Sequence, residues 1–497
     1  MIRRLLSCCF VAVFFFAWQI GAQEKSSPSV PLQTKAKPEA LIAHLQQRIP
    51  QLMQDGEIPA LAIALIREGK LVWHHSFGVK NTENKEPVTD STIFEAASLS
   101  KPVFAYAVLK LVDRGQIALD KPLNQYLPGN YDVGDDPRLN QITARRVLSH
   151  TTGFPNWRPQ NLPALKIFFT PGEKFSYSGE GFVYLAKVVE HIAGEPFDAF
   201  MKKMVFDPLR MSHSSYVWQD KYERLKADRH NFISKPTGLN KITEANAAAS
   251  LNTTASDYGK FVAAILQGTG LKKETAKLML TPQIYVDEAC TNCTNRPLEK
   301  LSSQVAWGLG WGLQNTDEGI SFWHWGDNGN SKAYIVAFAK QKIGVAIFMN
   351  STNGLSIARE LVNETVGGKH PALDWLHYDP YNSPAKKLLK NILAKGAEEA
   401  LREYRQGRAA DAMLNENQMN QLGYDLLYGA HRPQEAIAVF KLNVEDYPQS
   451  FNVYDSLGEA YMVNNEKELA IKNYQKSLEL NPNNTSGVEA LKRLQAN

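Results

Sequence analysis

The chain has 497 residues, 44% of them hydrophobic and 21% charged, with 55 Lys plus Arg against 51 Asp plus Glu. That hydrophobic share supports a large folded core and excludes long disorder, and the even charge excludes an electrostatic nucleic-acid binder. The 4 cysteines are too few for a disulfide scaffold, and at about 150 residues per domain the length calls for two or three domains.

Residues 1–22 combine Arg3 and Arg4 with an apolar stretch from Leu5 to Trp18, the form of a secretory signal peptide. The apolar run is shorter than the ~20 residues a spanning helix needs, so cleavage and export to a periplasmic or extracellular space are expected rather than a retained anchor. Leu5-Leu6-Ser7-Cys8 resembles a lipoprotein box but precedes the apolar run, so no lipid anchor is expected. Residues 23–38, rich in Ser, Pro, Lys and Gln, read as a linker. Helical periodicity runs over 39–54, and Leu61–Ile66 and Leu71–Phe77 read as strands joined by a tight turn. Ser98–Arg114 reads as a helix stopped by Gly115, with further helices at 180–194, 255–267 and 356–366 and late strands at Ala333–Ala339 and Gly344–Met349. Strands at both ends with helices between them predict an α+β domain over 39–370, whose sheet collects N- and C-terminal strands.

Pro371, Pro380 and Pro384 read as a second linker, 371–384, and residues 385–497 read as all helix. Ala436, Phe440 and Pro448 recur 34 residues later as Ala470, Tyr474 and Pro482, and the second unit adds Tyr454, Leu457, Gly458 and Tyr461. This tail resembles a tetratricopeptide module over 420–490, which implies a surface for a protein partner. Leu422-Gly423 lies 35 residues before Leu457-Gly458, read as a helical turn that has lost one residue. Two repeats are a small unit, so the tail is expected to dock on the preceding domain or helix.

No H-E-x-x-H, P-loop or intact G-x-S-x-G occurs, and the glycine-rich stretch Trp307–Gly312 lacks dinucleotide spacing, so no metal or cofactor is expected. Cys290-Thr-Asn-Cys293 supplies only two ligands, and in an exported chain it is expected to form a local disulfide. Ser98-Leu99-Ser100-Lys101 stands at the start of the apolar helix. A spacing of three puts Ser98 and Lys101 on one helix face, where a lysine in a dry pocket can take the hydroxyl proton. Ser383-Pro384-Ala385-Lys386 has the same pattern, but in a proline-containing linker with nothing to bury it.

Downstream lie Tyr177-Ser178-Gly179 and His324-Trp325-Gly326-Asp327, supported by Leu148–Pro155, Thr253–Asp257 and Trp307–Trp311. In this order the motifs resemble the serine β-lactamase and penicillin-binding-protein superfamily, in the branch of class C β-lactamases, D-alanyl-D-alanine carboxypeptidases and esterases. The likeness spans 39–366. It implies an antiparallel sheet flanked by a helical region and an acyl-enzyme mechanism. Ser98 would be the nucleophile, and Lys101 and Tyr177 would share general-base and shuttle roles. The N–H groups of Ser98 and Asp327 would form the oxyanion hole. His324 would orient the substrate on the wall strand, with Ser178, Gly179, Trp325 and Gly326 in contact with it.

Two departures stand out. The asparagine of Y-x-N is Gly179, and the threonine of K-T-G is Trp325. Both positions lose polar contacts that lactam-recognising relatives use, so Ser178 or Glu180 would have to supply a polar group. An exported esterase, amidase or peptidase is therefore expected ahead of a true β-lactamase or D-Ala-D-Ala carboxypeptidase. The other class of reading is a non-catalytic sensor or scaffold that works through its repeats.

Overall fold

The computed structural model describes residues 30–127, 129, 131–158, 164–407 and 413–496. The signal segment 1–22 lies outside them, and among the described residues no helix is long and apolar enough to cross a membrane.

Helix α1 (Pro38–Gly56) is followed by strands β1 (Ala60–Arg67) and β2 (Lys70–Gly78). A helical region follows, with α2 (Ser100–Asp113), α3 (Gly179–Ala193) and α4 (Ala255–Gln267). Strands β3 (Ile284–Asp287), β4 (Leu301–Trp307), β5 (Gly312–Thr316), β6 (Gly319–Asp327), β7 (Lys332–Phe338) and β8 (Ile343–Met349) then lead to α5 (Ala358–Thr365). The antiparallel sheet has the order β2-β1-β8-β7-β6-β5-β4-β3. Its centre joins the two ends of the domain, with Leu61 opposite Met349 and Ile63 opposite Ile347. The α+β expectation is met; β3 is only four residues long, β4 and β5 interrupt their apolar residues with polar and glycine positions, and β6 was reached only as the wall strand that the resemblance implies.

Strand β1 is buried throughout and alternates between two cores. Leu61, Ile63 and Leu65 pack with α1, α5 and a group of tryptophans. Ala60, Ala62, Ala64 and Ile66 face the core of α2 and α4. Small residues on that face let helices come close: a Cβ on Gly259 of α4 would lie 2.9 Å from the Ala64 Cβ.

The described part of each segment read as a linker is fastened to the domain. Val30 pairs with Gly368, and Gln33 donates to the Val366 carbonyl. Residues 371–384 begin with a short helix, α6 (Pro371–Trp375). Proline at a first helical position costs no hydrogen bond, so it starts α6 instead of breaking structure. Trp375 is buried there and donates its indole N–H to the Asp287 carbonyl at 2.7 Å.

The tail is helical: α7 (Pro384–Lys395), α8 (Ala397–Gln406), α9 (Glu416–Tyr424), α10 (Pro433–Asp446), α11 (Phe451–Val463), α12 (Lys467–Leu480) and α13 (Thr485–Ala496). Ser383 is not an exposed linker residue; it is buried and caps α7, its hydroxyl accepting the Lys386 N–H at 3.2 Å. The register of the first repeat is also corrected. A π-helical turn over Asp425–Gly429 follows α9, so that unit carries an inserted residue rather than a lost one. Phe232, from the preceding domain, is buried in the tail's core. Lys390 donates to the Asp55 carbonyl at 2.7 Å.

Candidate active site

Ser98 sits in a 3-10 turn, Ala97–Leu99, that runs into α2. The turn is tied down: Ala96 N–H donates to the Leu251 carbonyl, Ser100 Oγ to the Ala97 carbonyl at 2.5 Å, and Tyr258 Oη to the Leu99 carbonyl at 3.0 Å. Ala97 has φ of 47°, a left-handed conformation that a non-glycine residue holds only when its surroundings impose it. One turn on, Lys101 is completely buried and its Nζ donates to Ser98 Oγ at 3.2 Å and to the Ala248 carbonyl at 2.8 Å. Burial pushes its amine well below the ordinary lysine range. The pair is thus set for proton transfer from hydroxyl to amine.

Tyr177 covers this pair, its ring centre 4.6 Å from Lys101 Nζ. Burial raises its phenol far above the usual value, and Ser98 draws it back only partly. The hydroxyl makes no hydrogen bond of good geometry. A phenol in this state stays protonated and acts as a donor. Its backbone N–H donates to the Thr291 carbonyl at 2.9 Å. Thr291 lies inside the Cys290–Cys293 disulfide loop, so the bridge helps place Tyr177.

His150 has no assigned role in the sequence, although it lies within a supporting motif. Its ring stacks on Tyr177 at 4.3 Å, and its Nδ1 accepts the Ser178 N–H at 2.9 Å. That bond places the ring proton on Nε2, which is buried without a partner. His150→Phe keeps the stack but orphans the Ser178 N–H. We expect a stability loss of about 1–3 kcal/mol, read by denaturant unfolding. A roughly tenfold fall in kcat/KM should accompany it as Tyr177 loosens.

Strand β6 forms the opposite wall. His324 is buried, and Nδ1–H donates to the Trp325 carbonyl at 2.8 Å. Burial, then the nearby Lys101, lower its pKa to about 3, so the imidazole is neutral and not a cationic anchor. Burial also lowers His150 well below its usual value and His370 to about 4. The unfolded chain therefore takes up protons below about pH 6.5 that the fold excludes. Stability is full above that pH and falls as the pH drops towards 3–4. Each histidine contributes a slope of up to about 1.4 kcal/mol per pH unit. Melting temperatures between pH 7 and pH 5 should show the decline, and His370→Gln should flatten it.

Trp325 rests on the Tyr177 ring at 4.6 Å. The Asp327 carboxylate pairs with Lys332 and accepts from Tyr378 Oη at 2.6 Å. Tyr378 belongs to the segment read as a linker, and only the recurrence of an aromatic every three residues, at Trp375, Tyr378 and Tyr381, could have signalled it.

The expected substrate contacts are only partly available. The Ser178 hydroxyl is spent on capping α3, accepting from Gly181 N–H at 3.1 Å and donating to the Pro155 carbonyl at 2.9 Å. Glu180 accepts the Arg158 N–H at 3.0 Å. Gly326 stands against Ala96 and Ala97 of the nucleophile's turn and Gly179 packs against Trp157, which no motif singles out and whose ring centre is 5.9 Å from Lys101 Nζ.

The profile of a family described as Beta-lactamase matches residues 45–364. Penicillin-binding protein 4* of Bacillus subtilis is 24% identical over 311 residues, 55% of this chain and 64% of that protein. Esterase EstB of Burkholderia gladioli is 26% identical over 227 residues, 40% of this chain and 57% of the esterase. The chain thus spans less than two thirds of these curated relatives. Among solved structures, the octameric penicillin-binding protein homologue from Pyrococcus abyssi aligns with a TM-score of 0.55 at 22% identity, covering 71% of this chain and 82% of that one. The D-alanine carboxypeptidase AmpC from Burkholderia cenocepacia aligns with a TM-score of 0.53 at 19% identity, covering 63% and 95%. At these identities both establish the fold alone.

Proposed function

This chain belongs to the beta-lactamase family, and from that premise we propose that it is an exported serine hydrolase working through an acyl-enzyme on an ester, amide or peptide. The observation that carries the reading is the buried Lys101 amine, 3.2 Å from Ser98 Oγ, with burial favouring its neutral form. Lys101 Nζ takes the Ser98 proton as Oγ forms a bond to the substrate's carbonyl carbon. The N–H groups of Ser98 and Asp327 receive the oxyanion. As the intermediate collapses, the bond to the leaving group breaks and that group leaves with the proton, relayed by Lys101 and the protonated Tyr177. Water then attacks the acyl-enzyme, giving its proton back through Lys101 and freeing Ser98.

Gly179 and Trp325 support an esterase, amidase or peptidase over a true β-lactamase or D-Ala-D-Ala carboxypeptidase, because neither restores the missing polar contacts. The test compares turnover of a short-chain p-nitrophenyl ester, a chromogenic cephalosporin and a D-Ala-D-Ala peptide. Ester hydrolysis that vanishes in Ser98→Ala is expected. Fast cephalosporin turnover without ester hydrolysis would sink the reading, and failure of acylating probes to label Ser98 would return it to a scaffold.

The tail is read as a tetratricopeptide-like unit. A Cβ on Gly423 would overlap the Phe440 ring, and one on Gly458 would lie 3.2 Å from Tyr474. Such small-to-aromatic packing between paired helices is what the repeat pattern encodes. Its surface would take a protein partner while α7 and the Phe232 contact hold it to the hydrolase domain.

A further inference from the structure

The two departures from the family pattern lie on either side of the Lys101–Tyr177 pair, and their effect on substrate choice rests on Ser98 being the acylating nucleophile. A Cβ on Gly179 would lie 2.8 Å from the Asn156 carbonyl oxygen and 2.9 Å and 3.0 Å from the Trp157 ring. The space into which an asparagine side chain would leave the backbone is therefore already filled by a peptide carbonyl and an indole. The Gly179 N–H is spent as well, on Asn156 O at 2.9 Å and Asn156 Oδ1 at 3.0 Å. Trp157 is 45% exposed beside the Lys101 amine, an unusual state for the largest apolar side chain. On the other wall Trp325 covers Tyr177, which in turn covers Lys101.

Charge points the same way. His324 is neutral and buried. Lys332 is paired with Asp327, and Arg158, next to Trp157, is paired with Asp132 and lies 4.0 Å from Glu180. Lys101 is held for the reaction itself. A carboxylate beside the scissile bond would leave water for the exposed Trp157 indole, the small exposed part of the otherwise buried Trp325 and the Asp327 carboxylate, with each of these cations already engaged or uncharged, and that is costly. A flat uncharged group in the same place would gain stacking and apolar burial.

We propose that Trp157 and Trp325 are the specificity-determining walls of the Ser98 cleft, selecting an uncharged acyl compound with a flat or apolar group next to the scissile bond and rejecting one that carries a carboxylate there. The test uses two boronic acids of nearly equal size, 3-carbamoylphenylboronic acid and 3-carboxyphenylboronic acid. Each is scored by the concentration that protects Ser98 of the full chain from a fluorophosphonate probe. We expect the carbamoyl compound to protect at a concentration lower by about tenfold or more, since an unpaired buried charge is penalised far more than an amide. Trp157→Ala, at an exposed position that should not disturb folding, should narrow that ratio at least threefold. Trp325→Thr should narrow it further where its thermal melt shows a folded protein. Equal protection, a preference for the carboxylate, or a ratio unmoved by Trp157→Ala overturns the inference while leaving the nucleophile in place. Absence of probe labelling at Ser98 in the unsubstituted chain overturns the nucleophile, and the inference with it.

Discussion

Replacing Lys101 with Met should lower kcat/KM by about a thousandfold or more, within the range for losing a positioned general base, while the protein melts at the same or a higher temperature. The two results come from one cause. The amine is fully buried against the rings of Tyr177 and Phe182, and burial alone drives its pKa down. Folding bears the cost of holding an ionisable amine in a dry place, and Met does not ask for it. What Met gives up are the bonds to Ser98 Oγ and to the Ala248 carbonyl, each worth about 1 kcal/mol. Lys101→Arg separates charge from basicity: a guanidinium stays protonated and cannot accept the Ser98 proton, so it should be as inactive as Met and, unlike it, destabilised. In the unsubstituted enzyme kcat/KM should fall on the acid side as Lys101 becomes protonated. A Met variant within tenfold of the parent would assign the base elsewhere.

Gly326→Ala should cost about 10²–10³-fold in kcat, the range for losing one oxyanion donor, and about 1–3 kcal/mol of stability from overpacking. A Cβ on Gly326 would overlap the Ala96 carbonyl oxygen and stand 3.2 Å from the Ala97 Cβ. Neither neighbour can yield, because the Ala96 N–H is bonded to Leu251 and Ala97 is already left-handed. Strand β6 would have to move off the nucleophile's turn, carrying the Asp327 N–H with it. Steady-state kinetics should show the loss in kcat more than in KM. A variant with unchanged kcat would show that this strand end does not serve the oxyanion.

Ser98 and Lys101 were legible because their relation is local. A spacing of three along a helix brings the two side chains together whatever the rest of the chain does. Tyr177 and His324 needed the family's motif order as a guide, since nothing in their own neighbourhoods distinguishes them from packed aromatics. His150 stood within a readable motif and Trp157 just after it, but their roles depend on Tyr177 and Gly179, which lie elsewhere in the chain. Tyr378 was hidden by prolines that signal a linker when read alone and a helix start when a buried Trp375 follows.

By itself the sequence determined the α+β class, the helical tail and the serine–lysine pair, because periodicity and short spacings act through neighbouring residues. The tertiary structure alone decided the character of the cleft. It brought Trp157 into the space left by Gly179, buried His324 until it lost its charge, and tied Asp327 to Lys332 and Tyr378. Each of these depends on burial and on contacts between distant segments, and desolvation is a property of the packed molecule rather than of any stretch of chain.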